Sequence, residues 1–530
     1  MTGNFAIKIS KVNGMNDIGP IELGTGITTL TGRNNVGKSR ILKKIEGIKR
    51  ILENKIDDSR IEATIGSEDG VESERLELLV DGAIGVINIL TSVGEKKVLR
   101  LTAKGNGSYT LYNEAGNQTA SGIASIEIAL MNFANFYKLK ENIERIIYIP
   151  PYRPISEKAP TQLQTTIFPS GNNLGQVLFY NKNNDTKEML EIEKVMGLIF
   201  PEIEQILTVP VADNLINISI EDKYAGTRVP INEAGTGVAQ VLFLVTMIIH
   251  SPPGRIFLID EPHVYLHPQA EKELAKFLRK HNEHSYIIAT HSPLLLSQLK
   301  PDFSYLVTRD KDGTKISSVF NSSGERDAVF KELGINYGDI LLFENIIFVE
   351  GRSDELIYDI LIRKLGFEDL MRSSVIINIS GSGASEQLED IMKKIDKVLN
   401  VPHVTILDGD QKGKRNGDNI IFIPYQDLEY VLLSDPNAIL SRINELEKDD
   451  GLLGKEWNVE LIQSMVNDGT RQGLTGAEIL ERIYQGINKN LHYKKVTEGP
   501  LIAELLDPNK LEHLKEFFEN LNLSVIRHIQ

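Results

Sequence analysis

The sequence predicts an α/β protein built from two successive strand–helix series, each forming a mainly parallel sheet. The first series begins near the amino terminus and returns at the apolar strands "RIFLID" (255–260) and "YIIAT" (286–290). The second series starts at Asn345 and alternates strands with helices as far as Leu432. Such alternation favours parallel strands covered by helices, and the rest of the chain shows a mostly helical pattern.

The length of the chain predicts more than one domain, because 530 residues exceed what a single hydrophobic core usually contains. Polar stretches rich in Gly, Asn and Ser between 320 and 345 separate the two strand–helix series. We therefore predict a first domain over 1–335, a second over 336–435, and a mostly helical C-terminal part of the second over 436–530.

The first domain is expected to contain two lobes beside its mixed β core. Alternating polarity from about 60 to 115, broken by Gly, Asn and Asp, predicts an antiparallel β lobe. Helical periodicity over 121–205 predicts a helical lobe, interrupted by a loop at the proline-rich "IPPYRPISEKAP" (149–160). The apolar run 238–250 predicts a buried helix.

Composition excludes several classes of protein. A net charge of −15 argues against broad coating of nucleic acid, although a local basic groove stays compatible with it. The absence of cysteine excludes disulfide scaffolds, thiolate zinc sites and cysteine nucleophiles. The start "MTGNFAIKIS" lacks the features of a secretory signal, and Val241–Ile249 is too short to span a bilayer. We expect a cytoplasmic protein with no membrane partner.

A glycine-rich turn between a strand and a helix predicts a nucleotide site. The segment "GRNNVGKS" (32–39) has the spacing in which backbone N–H groups wrap phosphates. Lys38 would meet the β- and γ-phosphate oxygens, and Ser39 would ligate Mg²⁺; the alternative is a chance glycine turn. The nucleotide-binding candidates here are Gly32, Asn35, Gly37, Lys38, Ser39 and Arg40.

Two later strand ends supply the partners that this loop needs. The strand "IFLID" ends in Asp260, and Glu261 follows it directly. The next apolar strand ends in Thr290 and His291. We expect Asp260 to help bind the Mg²⁺ that accompanies ATP, and Glu261 to polarise an attacking water. His291 is a candidate sensor of the γ-phosphate.

A second group of acids follows strands of the second domain. Glu350 ends "IIFVE", Asp354 and Glu355 lie in the first turn of the next helix, and "VTILDGD" ends in Asp408 and Asp410. Carboxyl ends of parallel strands meet at one edge, where several carboxylates repel one another unless a cation lies between them. All-oxygen ligands favour Mg²⁺ or Mn²⁺, whereas the simpler alternative is a set of solvated turns.

The nucleotide motifs resemble the ATPase head of the ABC superfamily, most clearly at "DEPHVYLHPQAEKEL" (260–274). In that superfamily two heads enclose ATP, and a signature turn of one head faces the nucleotide of the other. The resemblance implies ATP as cofactor and a homodimer or higher homo-oligomer. It also implies that the signature turn is Gly235, Thr236 and Gly237, which departs from L-S-G-G-Q.

The acidic pattern, with the glycine-bearing strand end "NISGSG" (378–383) between its two parts, resembles the Toprim domain. The resemblance implies metal-binding, catalytic acids at Glu350, Asp408 and Asp410, with Asp354 or Glu355 supporting a second metal. Two further positions resemble those of related nucleases. They are Glu429 in "DLEYVLL", as another metal-binding acid, and Lys495 or its neighbour Lys494, as a cation that stabilises transition-state charge. A helix-start lysine in solvent is the alternative for Lys495.

An ABC-type head followed by Toprim resembles the OLD (overcoming lysogenization defect) family of nucleases. Topoisomerases require a tyrosine-bearing cleavage domain, and bacterial primases carry a zinc ribbon that a chain without cysteine cannot form. The resemblance implies Mg²⁺- or Mn²⁺-dependent cleavage of nucleic acid, control by ATP and frequently a role in anti-phage defence. Some relatives work with a partner protein or a retron RNA–DNA element.

Several alternatives stay open. DNA is the favoured substrate, but "DLEYVLL" also resembles the PARIS-type effector that targets tRNA, so RNA is not excluded. The chain could instead be an ATP-switched scaffold or sensor that binds nucleic acid or a partner without cutting, or a repair ATPase of the RecF kind. Clustered acids that cost stability when unpaired favour the nuclease. Candidate contacts to backbone phosphates are Lys393, Lys394, Lys397, Lys412, Lys414 and Arg415.

Overall fold

The computed structural model describes most of the chain as two compact units, residues 1–319 and 320–530. The described residues are 5–10, 18–23, 26–52, 60–65, 74–81, 84–93, 95–104, 108–112, 118–123, 144–156, 158–162, 164–211, 214–311, 313–320, 329–331, 335–379, 388–414, 419–450 and 457–527. The domain boundaries expected at 335 and 435 stay predictions.

The first unit contains eighteen strands and six helices among its described residues. Its strands are β1 (Phe5–Ser10), β2 (Ile18–Leu23), β3 (Ile27–Thr31), β4 (Arg60–Ile65), β5 (Glu74–Asp81), β6 (Ile84–Val93), β7 (Glu95–Lys104), β8 (Ser108–Tyr112), β9 (Gln118–Ile123), β10 (Ile146–Ile149), β11 (Lys158–Pro160), β12 (Ile203–Val211), β13 (Leu215–Asp222), β14 (Arg228–Pro230), β15 (Ile256–Asp260), β16 (Ser285–Ala289), β17 (Phe303–Asp310) and β18 (Gly313–Ser318). Its helices are α1 (Lys38–Leu52), α2 (Leu174–Asn184), α3 (Thr186–Ile199), α4 (Thr236–His250), α5 (Pro268–Lys280) and α6 (Pro293–Leu299).

A six-stranded sheet in the order β10-β15-β16-β3-β17-β18 forms the centre of this unit. All neighbouring pairs are parallel except β17 with β18. In the register, Asp260 pairs with Ala289, and Ala289 pairs with Leu30. The carboxyl ends of β15, β16 and β3 therefore lie level, and the residues that follow them share one edge of the sheet.

Helices α2 and α3 lie within the helical lobe expected over 121–205, of which 124–143 lies outside the described residues. Strands β4 to β9 pair antiparallel in sequence order, which confirms the antiparallel lobe, and β1 and β2 extend the same sheet. The loop predicted over 149–160 is only partly correct, because Lys158–Pro160 form a short strand that pairs with β13. Strand β11 lies at the edge of its sheet, where a proline does not interrupt the hydrogen-bond ladder.

Helix α4 is the apolar helix expected over 238–250. It is buried along most of its length, and Phe243 and Leu244 belong to the hydrophobic core of the unit. Thr246 satisfies its hydroxyl within the helix by donating to the carbonyl of Leu242 at 2.7 Å. Among the described residues, no helix is both long and apolar enough to cross a membrane.

The second unit is a small parallel sheet covered by helices. Its strands are β19 (Asn345–Val349), β20 (Ser374–Asn378), β21 (His403–Leu407) and β22 (Ile420–Phe422). Its helices are α7 (Tyr337–Ile340), α8 (Arg352–Lys364), α9 (Glu368–Ser373), α10 (Leu388–Val398), α11 (Glu429–Leu433), α12 (Pro436–Asp450), α13 (Val459–Arg471), α14 (Gly476–Ile487), α15 (Lys495–Leu505) and α16 (Lys515–Arg527).

The strand order β20-β19-β21-β22, with every neighbouring pair parallel, confirms the α/β pattern predicted from the sequence. Because β19 and β21 are adjacent, the residues after their carboxyl ends lie side by side. Helix α15 packs closely on α8: a Cβ at Gly499 would lie 3.0 Å from Ile357 Cδ1 and 2.9 Å from the Tyr493 hydroxyl. This contact fixes the start of α15, and with it Lys495, beside the carboxyl edge of the sheet.

Candidate nucleotide and metal sites

The phosphate-binding loop is strongly curved between β3 and α1. Gly32, Asn35 and Gly37 have φ angles of 122°, 65° and 114°. At Gly32 a Cβ would lie 2.3 Å from the carbonyl oxygen of Val307, so glycine is required there for close packing as well as for its φ angle. The buried Lys38 Nζ donates to the carbonyls of Gly32 and Arg33, both at 2.9 Å. The loop thus encloses the lysine where phosphate oxygens bind in such turns.

Asp260 is buried at the end of β15 and accepts two hydrogen bonds from neighbouring elements. Ser39 Oγ donates to Asp260 Oδ1 at 3.0 Å, and the Tyr148 hydroxyl donates to Oδ2 at 3.2 Å. Burial raises the pKa of Asp260, and the hydrogen bond from Ser39 opposes this rise. Ser39 and Asp260, predicted separately, therefore lie together, and Tyr148 on β10 joins them.

Glu261 has the unusual φ angle of 48°, and its amide donates to the carbonyl of Ala289 at 2.8 Å. Its Oε1 accepts from His291 Nδ1 at 3.0 Å and lies 3.6 Å from Lys38 Nζ. His263 Nδ1 lies 3.5 Å from Oε2, which is buried and accepts no hydrogen bond. Burial lowers the pKa of His263, and the charge of Glu261 opposes this. The predicted pair Glu261 and His291 is brought together, with His263 as an additional neighbour.

The charge of Glu261 also acts on the phosphate-binding lysine. Burial lowers the pKa of Lys38, whereas the carboxylates of Glu261 and Asp260 raise it. Lys38 therefore interacts with both Asp260 and Glu261, and Glu261 in turn contacts His291.

The predicted signature turn forms the N-cap and the first two residues of α4. Gly235 has a φ of 98° and caps the helix, and both Gly235 and Thr236 are exposed. In contrast, a Cβ at Gly237 would lie 2.4 Å from the carbonyl oxygen of Tyr265, which fixes this glycine against the segment after β15. Arg40 is exposed on α1. An exposed turn held by a packed glycine is compatible with contact to a second head.

In the second unit, acidic side chains gather around the carboxyl ends of β19 and β21. Asp354 turns back over the start of α8, where its oxygens accept from the Gly351 amide at 2.9 Å and from Ser353 Oγ at 3.0 Å. Asp408 Oδ1 accepts from the Leu428 amide at 3.1 Å. Burial raises the pKa of Asp354, with the charge of Glu429 adding to the rise.

Of these carboxyl groups, that of Asp408 has the most strongly raised pKa. Burial and then the charges of Asp354, Glu350, Asp427 and Glu429 raise its pKa to about 8. Burial disfavours the charged form of this carboxyl most, and the neighbouring negative charges add to that effect. We name Glu350, Asp354, Asp408, Asp427 and Glu429 the acidic group.

Asp427 is a member of the acidic group that the sequence analysis did not single out. Its oxygens accept from the Gly476 amide at 2.8 Å and from the Tyr430 amide at 3.2 Å. Gly476 is needed there, because its Cβ would lie 2.5 Å from Asp427 Oδ1. Burial raises the pKa of Asp427. In the sequence, Asp427 could have been found as a second acid two residues before Glu429, at the turn into α11.

Lys495 provides a positive charge beside these acids. Its Nζ lies 2.9 Å from Oε1 of Glu429, a residue whose side chain is only 3% exposed. Burial would lower the pKa of Lys495, but the carboxylates of Glu429, Asp427 and Asp354 raise it above the usual value. The predicted residues Glu429 and Lys495 are thus an ion pair, whereas Lys494 is exposed at the N-cap of α15.

The other predicted candidates of the second unit are not members of the acidic group. Asp410 is exposed on a short 3₁₀ helix after β21 and lies 3.8 Å from Lys414 Nζ. The Glu355 oxygens contact Arg352 and Asn378. The basic candidates Lys393, Lys397, Lys412 and Lys414 are exposed and Lys394 is half-buried. Arg415 and the glycines expected at 381 and 383 lie outside the described residues.

The donor chemistry of the acidic group fits a hard divalent cation. Five carboxylates from four separate elements converge, and burial raises the pKa of three of them, Asp354, Asp408 and Asp427. A bound Mg²⁺ or Mn²⁺ would neutralise this charge, since both ions prefer carboxylate oxygens. The chemistry of these ligands therefore fits such ions, but among the described residues no three of the five offer ligand atoms within 4.8 Å of one another.

Comparison with known proteins gives two family matches. Residues 126–297 match the family AAA_21, described as "AAA domain, putative AbiEii toxin, Type IV TA system", and residues 341–410 match "Overcoming lysogenization defect protein-like, TOPRIM domain". The second match ends at Asp410 and includes Glu350 and Asp408. Glu429 and Lys495 lie beyond it.

Two curated relatives and one solved structure illustrate the similarity. Endonuclease GajA of Bacillus cereus (strain VD045) is 20% identical over 283 residues, covering 50% of this chain and 47% of that protein. The Old nuclease of Escherichia phage P2 is 28% identical over 152 residues, 26% of each chain. The matches thus span about half and a quarter of these relatives. The SMC head domain from Thermotoga maritima is 14% identical with a TM-score of 0.31, covering 60% of this chain and 99% of that one.

Proposed function

The chain joins an ATPase domain to an OLD-like Toprim domain, and from this pairing we propose that it is an ATP-regulated, divalent-metal-dependent endonuclease. We further propose that it serves defence against bacteriophages, with DNA as the favoured substrate. The observation that carries the proposal is the position of Glu350, Asp354, Asp408, Asp427 and Glu429 around the carboxyl ends of the adjacent strands β19 and β21, where burial and their mutual charges raise the pKa of Asp408. Without a cation such a group costs stability, so a binding role accounts for it better than a purely structural one.

In the proposed reaction the carboxylates of the acidic group would hold the divalent ions, Mg²⁺ or Mn²⁺. When bound, these ions would supply an activated water and Lewis-acid stabilisation of charge. Asp408 would have to lose its proton on binding. The hydrogen bonds from Gly351 and Leu428 keep Asp354 and Asp408 oriented toward the same edge. Asp410, at the exposed border, would complete the ligands once substrate is bound.

Lys495 would have two roles in this site. It neutralises the buried carboxylate of Glu429, 2.9 Å away, and its half-exposed ammonium can also approach a phosphate oxygen. A fixed cation near the developing charge lowers the barrier to phosphodiester cleavage. The exposed lysines at 412 and 414 would contact neighbouring backbone phosphates.

The ATPase unit would act as the regulator. Lys38 and the loop would bind the phosphates, Ser39 and Asp260 would hold the Mg²⁺ of ATP, and Glu261 would polarise the attacking water. His291, which donates to Glu261 at 3.0 Å, would align this carboxylate and sense the γ-phosphate. The exposed turn at Gly235 and Thr236 would contact the nucleotide of a second head, giving a homodimer or higher homo-oligomer. A partner protein or a retron RNA–DNA element could supply the trigger.

The proposal is tested with purified protein and its Glu350→Ala variant. Plasmid DNA and total tRNA are incubated with Mg²⁺ or Mn²⁺, each with and without ATP. We expect cleavage by the unaltered protein only, and the effect of ATP gives the sign of regulation. The control is Glu368→Ala, which removes an exposed carboxylate that pairs with Arg372 outside the acidic group. Cleavage that survives Glu350→Ala would refute the assignment, and a chain that binds DNA without cutting under any condition would favour a scaffold.

A further inference from the structure

The carboxylate of Glu261 lies between two imidazole rings. His291 Nδ1 is 3.0 Å from Oε1, and His263 Nδ1 is 3.5 Å from Oε2. One potential ligand atom from each of the three residues lies within 4.8 Å of the other two. The rings meet edge to face with their centroids 5.0 Å apart. Three donors this close can reach one metal ion with small side-chain movements.

The donor set differs in kind from the acidic group of the second unit. Two imidazole nitrogens with one carboxylate oxygen form a set that binds Zn²⁺ and similar transition-metal ions. Mg²⁺ prefers oxygen ligands and keeps much of its water. The two places should therefore bind different ions when both kinds are present.

The backbone holds these ligands in place and leaves one side open. The Glu261 amide donates to the Ala289 carbonyl at 2.8 Å, which fixes the segment before His263 against β16. His263 and Glu261 are each 14% exposed, whereas the His291 side chain is 40% exposed. An ion can thus arrive from solvent on the side of His291 and reach the more buried ligands.

Two polar neighbours must adjust when an ion binds. Thr290 Oγ1 lies 3.2 Å from His263 Nδ1, but it also accepts from the Ser292 amide at 3.1 Å and keeps that partner. Lys38 Nζ lies 3.6 Å from Glu261 Oε1, and two backbone carbonyls already hold it at 2.9 Å. In contrast, Glu261 Oε2 is buried and accepts no hydrogen bond, so a cation there would satisfy it.

We propose that Glu261, His263 and His291 form a second metal site, selective for a transition-metal ion of the Zn²⁺ type. An ion bound there withdraws the Glu261 carboxylate from the attacking water and so inhibits ATP hydrolysis. This inhibitory effect rests on the proposed role of Glu261 in the nucleotide site. The binding itself does not.

The experiment uses full-length protein without nucleotide, in excess Mg²⁺, and titrates Co²⁺ as a spectroscopic probe for Zn²⁺. Nitrogen ligation at low coordination number gives Co²⁺ intense visible absorption, whereas an all-oxygen octahedral site absorbs weakly. We expect the intense bands to saturate at one equivalent and to disappear on adding Zn²⁺. Asp408→Asn, in the acidic group, should leave this spectrum unchanged.

Three variants locate the site. His263→Gln and His291→Gln should each weaken Co²⁺ binding at least about tenfold, because loss of a direct ligand costs no less than loss of its supporting contacts. His250→Gln is the matched control, since His250 pairs with Glu188 at 2.6 Å elsewhere in the unit. Thermal unfolding checks each fold, and the more exposed His291 gives a second test if the variant of buried His263 does not fold.

The outcomes separate this proposal from the function proposed above. An unchanged Co²⁺ spectrum in folded His291→Gln, or a spectrum lost in Asp408→Asn, would overturn the site. ATP hydrolysis that continues unchanged at saturating Zn²⁺ would overturn the inhibitory effect. A chain that never hydrolyses ATP would refute the proposed ATPase role but not the site, because binding is measured without nucleotide.

Discussion

Lys495 Nζ and Glu429 Oε1 lie 2.9 Å apart, and they join the start of α15 to the start of α11. The lysine side chain is 52% exposed and the glutamate side chain 3% exposed, so one end of the pair faces solvent and the other faces the acidic group. At the border of the proposed metal site, the lysine of this pair therefore offsets part of the negative charge of the acidic group.

Replacing this lysine tests whether it supports catalysis. For Lys495→Met we expect cleavage to fall about 10²- to 10³-fold, as for loss of a donor that stabilises transition-state charge. Because the variant leaves the buried Glu429 carboxylate without its cation, the free energy of unfolding should fall by about 1–3 kcal/mol. Single-turnover cleavage and urea unfolding measure both effects. The control is the exposed neighbour, and a larger loss of cleavage in Lys494→Met would mean that the wrong lysine has been assigned.

Asp427→Asn tests the acid that the sequence analysis missed. The asparagine oxygen can still accept from the Gly476 amide, whereas its amino group cannot accept from the Tyr430 amide. The fold should therefore persist with a small loss of stability while one negative charge disappears. We expect Mn²⁺ binding to weaken about tenfold, on the scale of lost supporting groups at metal sites. The pKa of Asp408 should fall toward its usual value. Calorimetry with Mn²⁺ and carbon NMR titration of the carboxyl groups are the measurements. Unaltered Mn²⁺ affinity would remove Asp427 from the site.

The pH dependence of stability follows from Asp408. Its folded pKa of about 8 exceeds the ordinary aspartate value of 3.8, so the folded state retains a proton that the unfolded state releases. Without a divalent ion, this group should lower the free energy of unfolding progressively as pH rises from about 4 to about 8. Saturating Mg²⁺ should reverse the loss. Urea unfolding in EDTA at several pH values checks this. The decline should be smaller in Asp408→Asn and unaltered in Glu368→Ala; equal slopes in all three proteins would contradict it.

Glu261→Gln separates ATP binding from hydrolysis. The amide keeps the shape of the side chain but loses the charge that would polarise water, so hydrolysis should fall at least about 10²-fold. ATP binding should persist, because Lys38 and the loop are unchanged. In Lys38→Ala binding itself should be lost. Nucleotide binding by fluorescence and phosphate release measure the two steps. A Glu261→Gln protein that hydrolyses ATP normally would place the base elsewhere.

Much of both sites could be predicted because consecutive motifs end neighbouring parallel strands. Ser39 and Asp260, and Glu261 and His291, meet since β15, β16 and β3 are adjacent and level. The strand order itself was not readable from periodicity. Tyr148 was therefore missed: its role requires knowing that β10 lies beside β15.

Other misses have local causes. His263 and Asp427 fall in turns, where spacing carries no periodic signal and the side-chain direction depends on tertiary hydrogen bonds. Asp427 is oriented by the amide of Gly476, on a distant helix. Strand β11 was missed because prolines argue against strands, although at a sheet edge they do not break pairing. The Gly351 amide orients the side chain of Asp354, and Asn378 contacts that of Glu355. The sequence therefore could not show which of the two acids belongs to the acidic group.

The parallel register at Asp260 and Ala289 also determines where this chain can change its length. Asp260 contacts Ser39, whereas the next residue, Glu261, contacts His291. Deleting one residue within β15 would place Glu261 beside Ser39 and Pro262 beside His291, and inserting one would place Asp260 beside His291. Either change leaves one of the two partners without its carboxylate. At the other end of the strand, the exposed Pro252 and Pro253 precede β15 without contributing to either contact. Natural variation in length should therefore be found before this strand and absent within it.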